Sequence, residues 1–130
     1  MFALAHERRH KVLLVTLSGV LTSEDLAAMD AALLSAVGRH RVSALLFDLT
    51  GTTAVAVPRS KLAQRAQQPP LDPAIKRVVA APAGELYEIV RAIGEQQIMF
   101  GISEPVIVHS LEEASAALGL DAQPLFEVAE

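Results

Sequence analysis

The chain has 130 residues, of which 52% are apolar and only five are aromatic, with a formal net charge of −4 and no cysteine. That length fits one folded domain with a core of Leu, Val, Ile and Ala. Disulfides, thiolate nucleophiles and Cys-based zinc sites are excluded. The acidic balance and the lack of stacking residues argue against nucleic acid as a partner, and no apolar run is long enough to cross a membrane.

Taken in chain order, Phe2 to Ala5 suits a short strand and His6 to Lys11 a polar turn. The opening MFALAHERRH sets its short apolar stretch before its basic residues, the reverse of a secretory leader, so a cytoplasmic location is expected. Val12 to Ser18 is β-rich and apolar on both faces, which predicts a buried strand ended by Gly19. Thr22-Ser23-Glu24-Asp25 offers a capping hydroxyl and acids for the positive end of a helix dipole. Leu26, Met29, Leu33 and Val37 then recur at helical spacing, with Gly38 as the expected stop.

Ala44 to Leu49 predicts a second buried strand with Asp48 at its carboxyl end, and Thr50 to Ala56 a loop. Pro58 suits the first turn of a short helix carrying Leu62, Ala63 and Ala66 inward, and Pro69-Pro70 stops it. Lys76 to Ala81 predicts a third strand, and Glu85 to Gln97 an amphipathic helix with Leu86, Ile89, Val90 and Ile93 on one side. Val106 to Val108 predicts a fourth strand, followed by Ser110 and Glu113 spaced as a capping box for a last helix to about Leu118. The tail from Leu125 to Val128 suits either an added edge strand or a docking segment on a neighbour. Strand-then-helix alternation after an initial hairpin implies an α/β fold with a mixed, mainly parallel sheet of four to five strands and about four helices. Residues 1–120 are assigned to the domain and 121–130 to a tail.

Few motifs carry chemistry. His6-Glu7-Arg8-Arg9-His10 matches H-E-x-x-H, which on a helix turns two histidines and a glutamate to one zinc ion. Here it falls in a turn between strands with no evident third ligand, so no metal site is assigned. No G-x-S-x-G, G-x-G-x-x-G or Walker pattern occurs, and no catalytic residue or cofactor is assigned. Gly51-Thr52-Thr53 follows a strand and is either a hydroxyl-rich turn or a small anion cradle. Asp48 stands where open α/β sheets collect ligands, or else accepts N–H bonds from its own loop. Tyr87 and Arg91, four apart, share a helix face and offer a phenol and a guanidinium, or stack on each other. Ten of the eleven Lys and Arg lie at or before Arg77, and nine acids lie beyond it. If that division is also spatial it suits head-to-tail or partner contacts.

This order of elements resembles the STAS family of SpoIIAA-like domains, and within it the stand-alone bacterial branch grouped with SEC14-like folds. The resemblance covers about residues 2 to 120. It rests on Gly19-Val20-Leu21-Thr22-Ser23-Glu24-Asp25, on Leu45-Leu46-Phe47-Asp48 followed by Leu49-Thr50-Gly51, on Tyr87 with Arg91, and on Val106 to Leu118. Members include anti-sigma-factor antagonists in which a second acid-serine segment is phosphorylated. That segment here is Ala56-Val57-Pro58-Arg59, and Val57 has no hydroxyl to take a phosphate.

The resemblance therefore implies a non-catalytic regulatory or protein-binding module, with a protein partner or a second copy as a homodimer. Its expected surface comprises Asp48, Thr50, Thr52, Thr53 and Val57, with Tyr87 and Arg91, and with Val55 and Val57 as exposed apolar contacts. The SEC14-like side implies an alternative: a carrier or sensor of a small apolar or amphiphilic ligand, held between sheet and helices with Arg91 on its anionic end. A hydrolase using His6 and His10 ranks last.

Overall fold

Apolar residues at consecutive positions of a strand need cover on both faces, and two segments of this chain have that pattern, Val12–Leu17 and Ala44–Leu49. The computed structural model describes residues 1–68, 72–121, 124 and 126–128. In it those segments become the middle of one sheet. The elements are β1 (Phe2–Glu7), β2 (Val12–Leu21), α1 (Ser23–Arg39), β3 (Ala44–Val55), α2 (Arg59–Ala66), β4 (Lys76–Ala80), α3 (Glu85–Met99), β5 (Val106–Val108), α4 (Leu111–Ala117) and β6 (Glu127–Val128).

The strand order is β5-β4-β3-β2-β1-β6. Strands β2 to β5 are parallel, whereas β1 is antiparallel to both β2 and β6. The mixed, mainly parallel sheet and the N-terminal hairpin are as expected, and the tail adds a sixth, two-residue strand at the edge.

The pleat sends alternate residues to two cores. Leu13, Val15, Leu17, Leu45, Leu49 and Val79 face α1, α2 and α3, where Met29, Leu33, Leu62 and Ile89 meet them. Val12, Leu46, Val78 and Ala80 face Ala114 of α4 on the other side. Small residues let α4 lie close against the sheet; α1, α2 and α3 carry larger side chains on their inner sides.

The first helix is capped as its sequence indicates. Asp25 N–H donates to Thr22 Oγ1 at 3.1 Å and Thr22 N–H donates back to Asp25 Oδ2 at 3.2 Å, a complete capping box. The bonds from Thr22 also hold the Asp25 carboxyl below its ordinary pKa. Ser110 Oγ likewise accepts from Glu113 N–H at 3.1 Å at the start of α4.

Several boundaries differ from the sequence reading. β1 runs through His6 to Glu7, because the hairpin register pairs His6 with Leu13 and Glu7 with Val12. β2 continues past Gly19, whose φ of 72° makes an irregularity in the ladder rather than an end. Thr50 to Val55 is not a loop. It continues β3 beside the extended β2, with Gly51 opposite Ser18 and Val55 opposite Leu21. Helix α1 passes through Gly38, and its last carbonyls are met by His40 N–H, which donates to Ala36 O at 2.9 Å. The expected stop at Pro69-Pro70 lies outside the described residues.

Gly94 sits buried in the interior of α3, where the helix meets Glu104 and Pro105. A Cβ added there would lie 3.8 Å from both of those residues, an ordinary contact. Gly94→Ala is expected to raise unfolding stability by about 0.5–1 kcal/mol through reduced backbone freedom, measured by urea denaturation.

Candidate binding site

Parallel strands bring their carboxyl ends to one rim, and the crevice outside that rim is where such sheets bind ligands. Asp48 sits there, between Thr16 and Ala80 in register, and is buried although charged. Its Oδ1 accepts from Thr50 N–H at 2.9 Å and from Thr50 Oγ1 at 2.6 Å. The carboxylate thus bonds to its own strand two residues on, where β3 runs past the end of the β4 ladder.

Beyond Asp48 the sheet narrows. The β3–β4 ladder ends at Asp48 opposite Ala80, while the β2–β3 ladder continues to Leu21 opposite Val55. The result is a two-stranded ribbon that overhangs the rim, with the β4-facing edge of β3 outside any ladder among the described residues. Val20, Thr50, Thr53 and Ala54 are exposed on this ribbon, and Thr52 Oγ1 ties it down by donating to Leu17 O at 3.0 Å. Val57 does not belong to that surface: it is 7% exposed and packs into the core beside α2. Val55 is half-buried rather than open, since it too packs against that core.

Tyr87 and Arg91 do not stack on each other. The Tyr87 ring meets His109, with centroids 4.6 Å apart, and His109 Nδ1 lies 3.2 Å from Ala81 O. Arg91 points outward to Glu88 and Glu95, each at 3.1 Å, and these acids raise its pKa. Thr50–Thr53 therefore form one continuous stretch at the rim with Asp48 buried beneath it rather than on that surface, Tyr87 joins His109 beside the end of β5, and Arg91 is bound up on the helix surface.

The turn motif near the N-terminus also separates. Glu7 is buried; its Oε2 accepts from His10 N–H at 2.8 Å and lies 3.2 Å from His10 Nδ1. His6 lies on the preceding strand and meets the ring of His40 instead, at 4.8 Å between centroids. No helix carries the two histidines, and among the described residues no group of three His, Asp or Glu side chains is arranged to hold a metal ion.

A cavity of about 500 Å³ lies under α1, α2 and α3. Helices α2 and α3 pack on each other, α1 approaches neither closely, and the gap is floored by β2, β3 and β4. Leu21, Met29, Leu45, Phe47 and Ile93 are among its walls. Arg65 of α2 bridges the gap to Asp30 of α1 through two bonds of 2.6 Å. Arg91 is not on its walls; the cations there are Arg65 and Arg77. The sequence did carry a signal for Arg77. It alternates with Val79 along β4, which places it on the same inner face.

The architecture is the SpoIIAA-like fold. Among solved structures, that of the anti-sigma factor antagonist SpoIIAA in its unphosphorylated form is similar, with a TM-score of 0.56 and 15% sequence identity over 90% of this chain and 96% of that one. No family model matches the sequence, and no curated protein matches it significantly. Among the described residues, no helix is long and apolar enough to cross a membrane.

Two predictions test these roles. Asp48→Ala removes the acceptor for both Thr50 donors and is expected to lower stability by about 1–3 kcal/mol, with Asp48→Asn recovering much of it, in urea denaturation. The second concerns His6, whose pKa is lowered from 6.5, first by burial and then by His40 and Arg8. A lowered histidine pKa means that the unfolded chain binds the proton more readily, so stability holds above the unfolded value and falls as pH drops below it. The melting temperature should fall as pH is lowered through 6.5, and His6→Phe should flatten that part of the profile.

Proposed function

We propose that this chain is a non-catalytic regulatory module that recognises a protein along the overhanging β2–β3 ribbon at the rim of its sheet. The observation that carries this reading is the edge of β3 from Thr50 to Val55, which leaves the β4 ladder after Asp48 and stays largely exposed. An open strand edge offers backbone donors and acceptors to an incoming segment, and alternate side chains beside it select which segment fits. The hydroxyls of Thr50 and Thr53 and the small side chain of Ala54 leave such an approach unobstructed. The similar solved structure is that of an anti-sigma factor antagonist, a regulatory protein. Val57, without a hydroxyl and inside the core, removes phosphorylation at that position as the control. The partner is a second copy of this chain or a different protein of the same, cytoplasmic, compartment.

The cavity supports a second reading, in which the module also carries or senses a small apolar or amphiphilic molecule. Its volume lies within the range of about 300–1,000 Å³ usual for ligand sites.

A photoreactive benzoylphenylalanine at Thr53 tests the ribbon in cells. A single discrete adduct is expected, its mass showing a dimer or a heterologous complex, and Ala54→Arg in the same chain should abolish it. The same probe at Lys61, on the exposed side of α2, should give none. Equal labelling from both positions, or no adduct from Thr53, removes the ribbon as the recognition surface.

A further inference from the structure

We propose that the cavity beneath α1, α2 and α3 binds a single-chain amphiphile with a carboxylate head, the head held by Arg77 and Gln97 and the tail lying along the floor of β2 and β3. This deepens the second reading above and rests on it.

The polar groups of the cavity are unequally satisfied. Asp30 is engaged by Arg65, and Asp72 Oδ1 accepts from Ala74 N–H at 2.9 Å in its own turn. Both acids on the wall are therefore occupied. Arg77 is not matched in this way. It donates through Nη2 to Ser103 O, and no carboxylate among the described residues pairs with it. Partial burial lowers its pKa, with no acid to oppose the effect. A guanidinium keeps its charge at any pH a protein meets and carries five N–H donors. A half-buried one lacking an anion is a standing cost that a carboxylate would relieve through charge-assisted bonds.

Gln97 lines the same cavity and is a further polar side chain on its wall. Its Oε1 is buried with no hydrogen-bond partner. Such an orphan is uncommon and calls for a partner. An acceptor needs a donor, so this oxygen is not the contact for a carboxylate; what Gln97 offers a head group is the two N–H bonds of Nε2. Gln97 stands in the last turns of α3, and Ser103 lies in the connection that follows that helix. The two groups therefore flank the same end of the cavity, at the start of β4.

From there the floor of the cavity is apolar, and the Asp30–Arg65 pair on its helical wall is satisfied internally. Leu45 lies opposite Arg77 in register, and the floor from Leu45 to Leu49 extends about 13 Å at about 3.3 Å per residue. Leu21, Leu49 and Leu86 line the distal end. One charged end and a long hydrocarbon lane describe an alkyl carboxylate rather than a compact polar metabolite.

The delipidated full chain, titrated calorimetrically with laurate and with dodecanol, decides the matter. Laurate is expected to bind one to one and about tenfold more tightly than dodecanol, the gain of a charge-assisted head contact. Arg77→Met should remove that preference while leaving dodecanol unchanged, Arg77→Lys should restore part of it, and Ile93→Trp should block both ligands by filling the tail lane. If Arg77→Met fails to fold, Gln97→Leu provides the same comparison, with laurate weakened and dodecanol unaffected. Equal affinity for the two ligands overturns the head-group assignment while leaving the apolar-ligand reading standing. Binding of neither overturns both. Binding to phosphatidylglycerol vesicles without binding of free laurate also overturns the proposal, since a membrane surface would then be the target.

Discussion

The parallel pairing of β2 with β3 runs from Val12 opposite Ala44 to Leu21 opposite Val55, and in its first half both faces of the pair are buried. A sheet buried on both faces must find two sets of helices, and this one finds unequal sets. Ala114 and its small neighbours bring α4 down onto Leu46, Val78 and Ala80, whereas Met29, Leu33 and Ile89 support three helices over Leu13, Leu45 and Val79. Close packing on one side and bridged packing on the other follow from side-chain size. Interiors normally fill to crystal-like density, so a chamber of this volume persists only where its walls are held apart. The Arg65–Asp30 bridge sits across that gap.

In its second half the same pairing loses its neighbours and becomes a ribbon. Asp48 marks the change. Upstream, β3 is flanked on both sides and apolar; downstream, its neighbour among the described residues is β2 alone, and it is rich in threonine, alanine and glycine. Threonine is at home on a half-exposed strand because its branched Cβ favours extended backbone while its hydroxyl tolerates water. The two features of interest, rim and cavity, thus meet on one pair of strands, since Leu21 and Val55 of the ribbon also line the cavity.

The buried strands were legible because Val-Leu-Leu-Val-Thr-Leu and Ala-Leu-Leu-Phe-Asp-Leu have no polar face to present to water. The helix starts were legible because Thr22 with Asp25, and Ser110 with Glu113, are chemically specific caps. The extension of β3 was not, since Thr-Gly-Thr-Thr-Ala has the composition of a turn and becomes a strand only because β2 runs beside it. Burial of Val57 was hidden for a similar reason: a valine between Ala56 and Pro58 says nothing of what α2 will lay over it. Periodicity assigned Leu86, Ile89 and Ile93 to an inward face correctly, yet it carries no measure of how far a helix stands from its sheet. The cavity and its satisfied and unsatisfied polar walls depend on that distance, so Arg77 and Gln97 emerge only in three dimensions.

The tail strand has a consequence of another kind. β6 pairs with β1 at Ala5 and His6, and ion pairs from Arg8 to Glu127 and from Arg9 to Asp121 pin the residues around it. An outer strand left bare is a template onto which a neighbouring molecule can add, the first step toward insoluble assemblies. A two-residue cover held by paired charges is a modest guard against that fate, and one that concentrated salt would loosen.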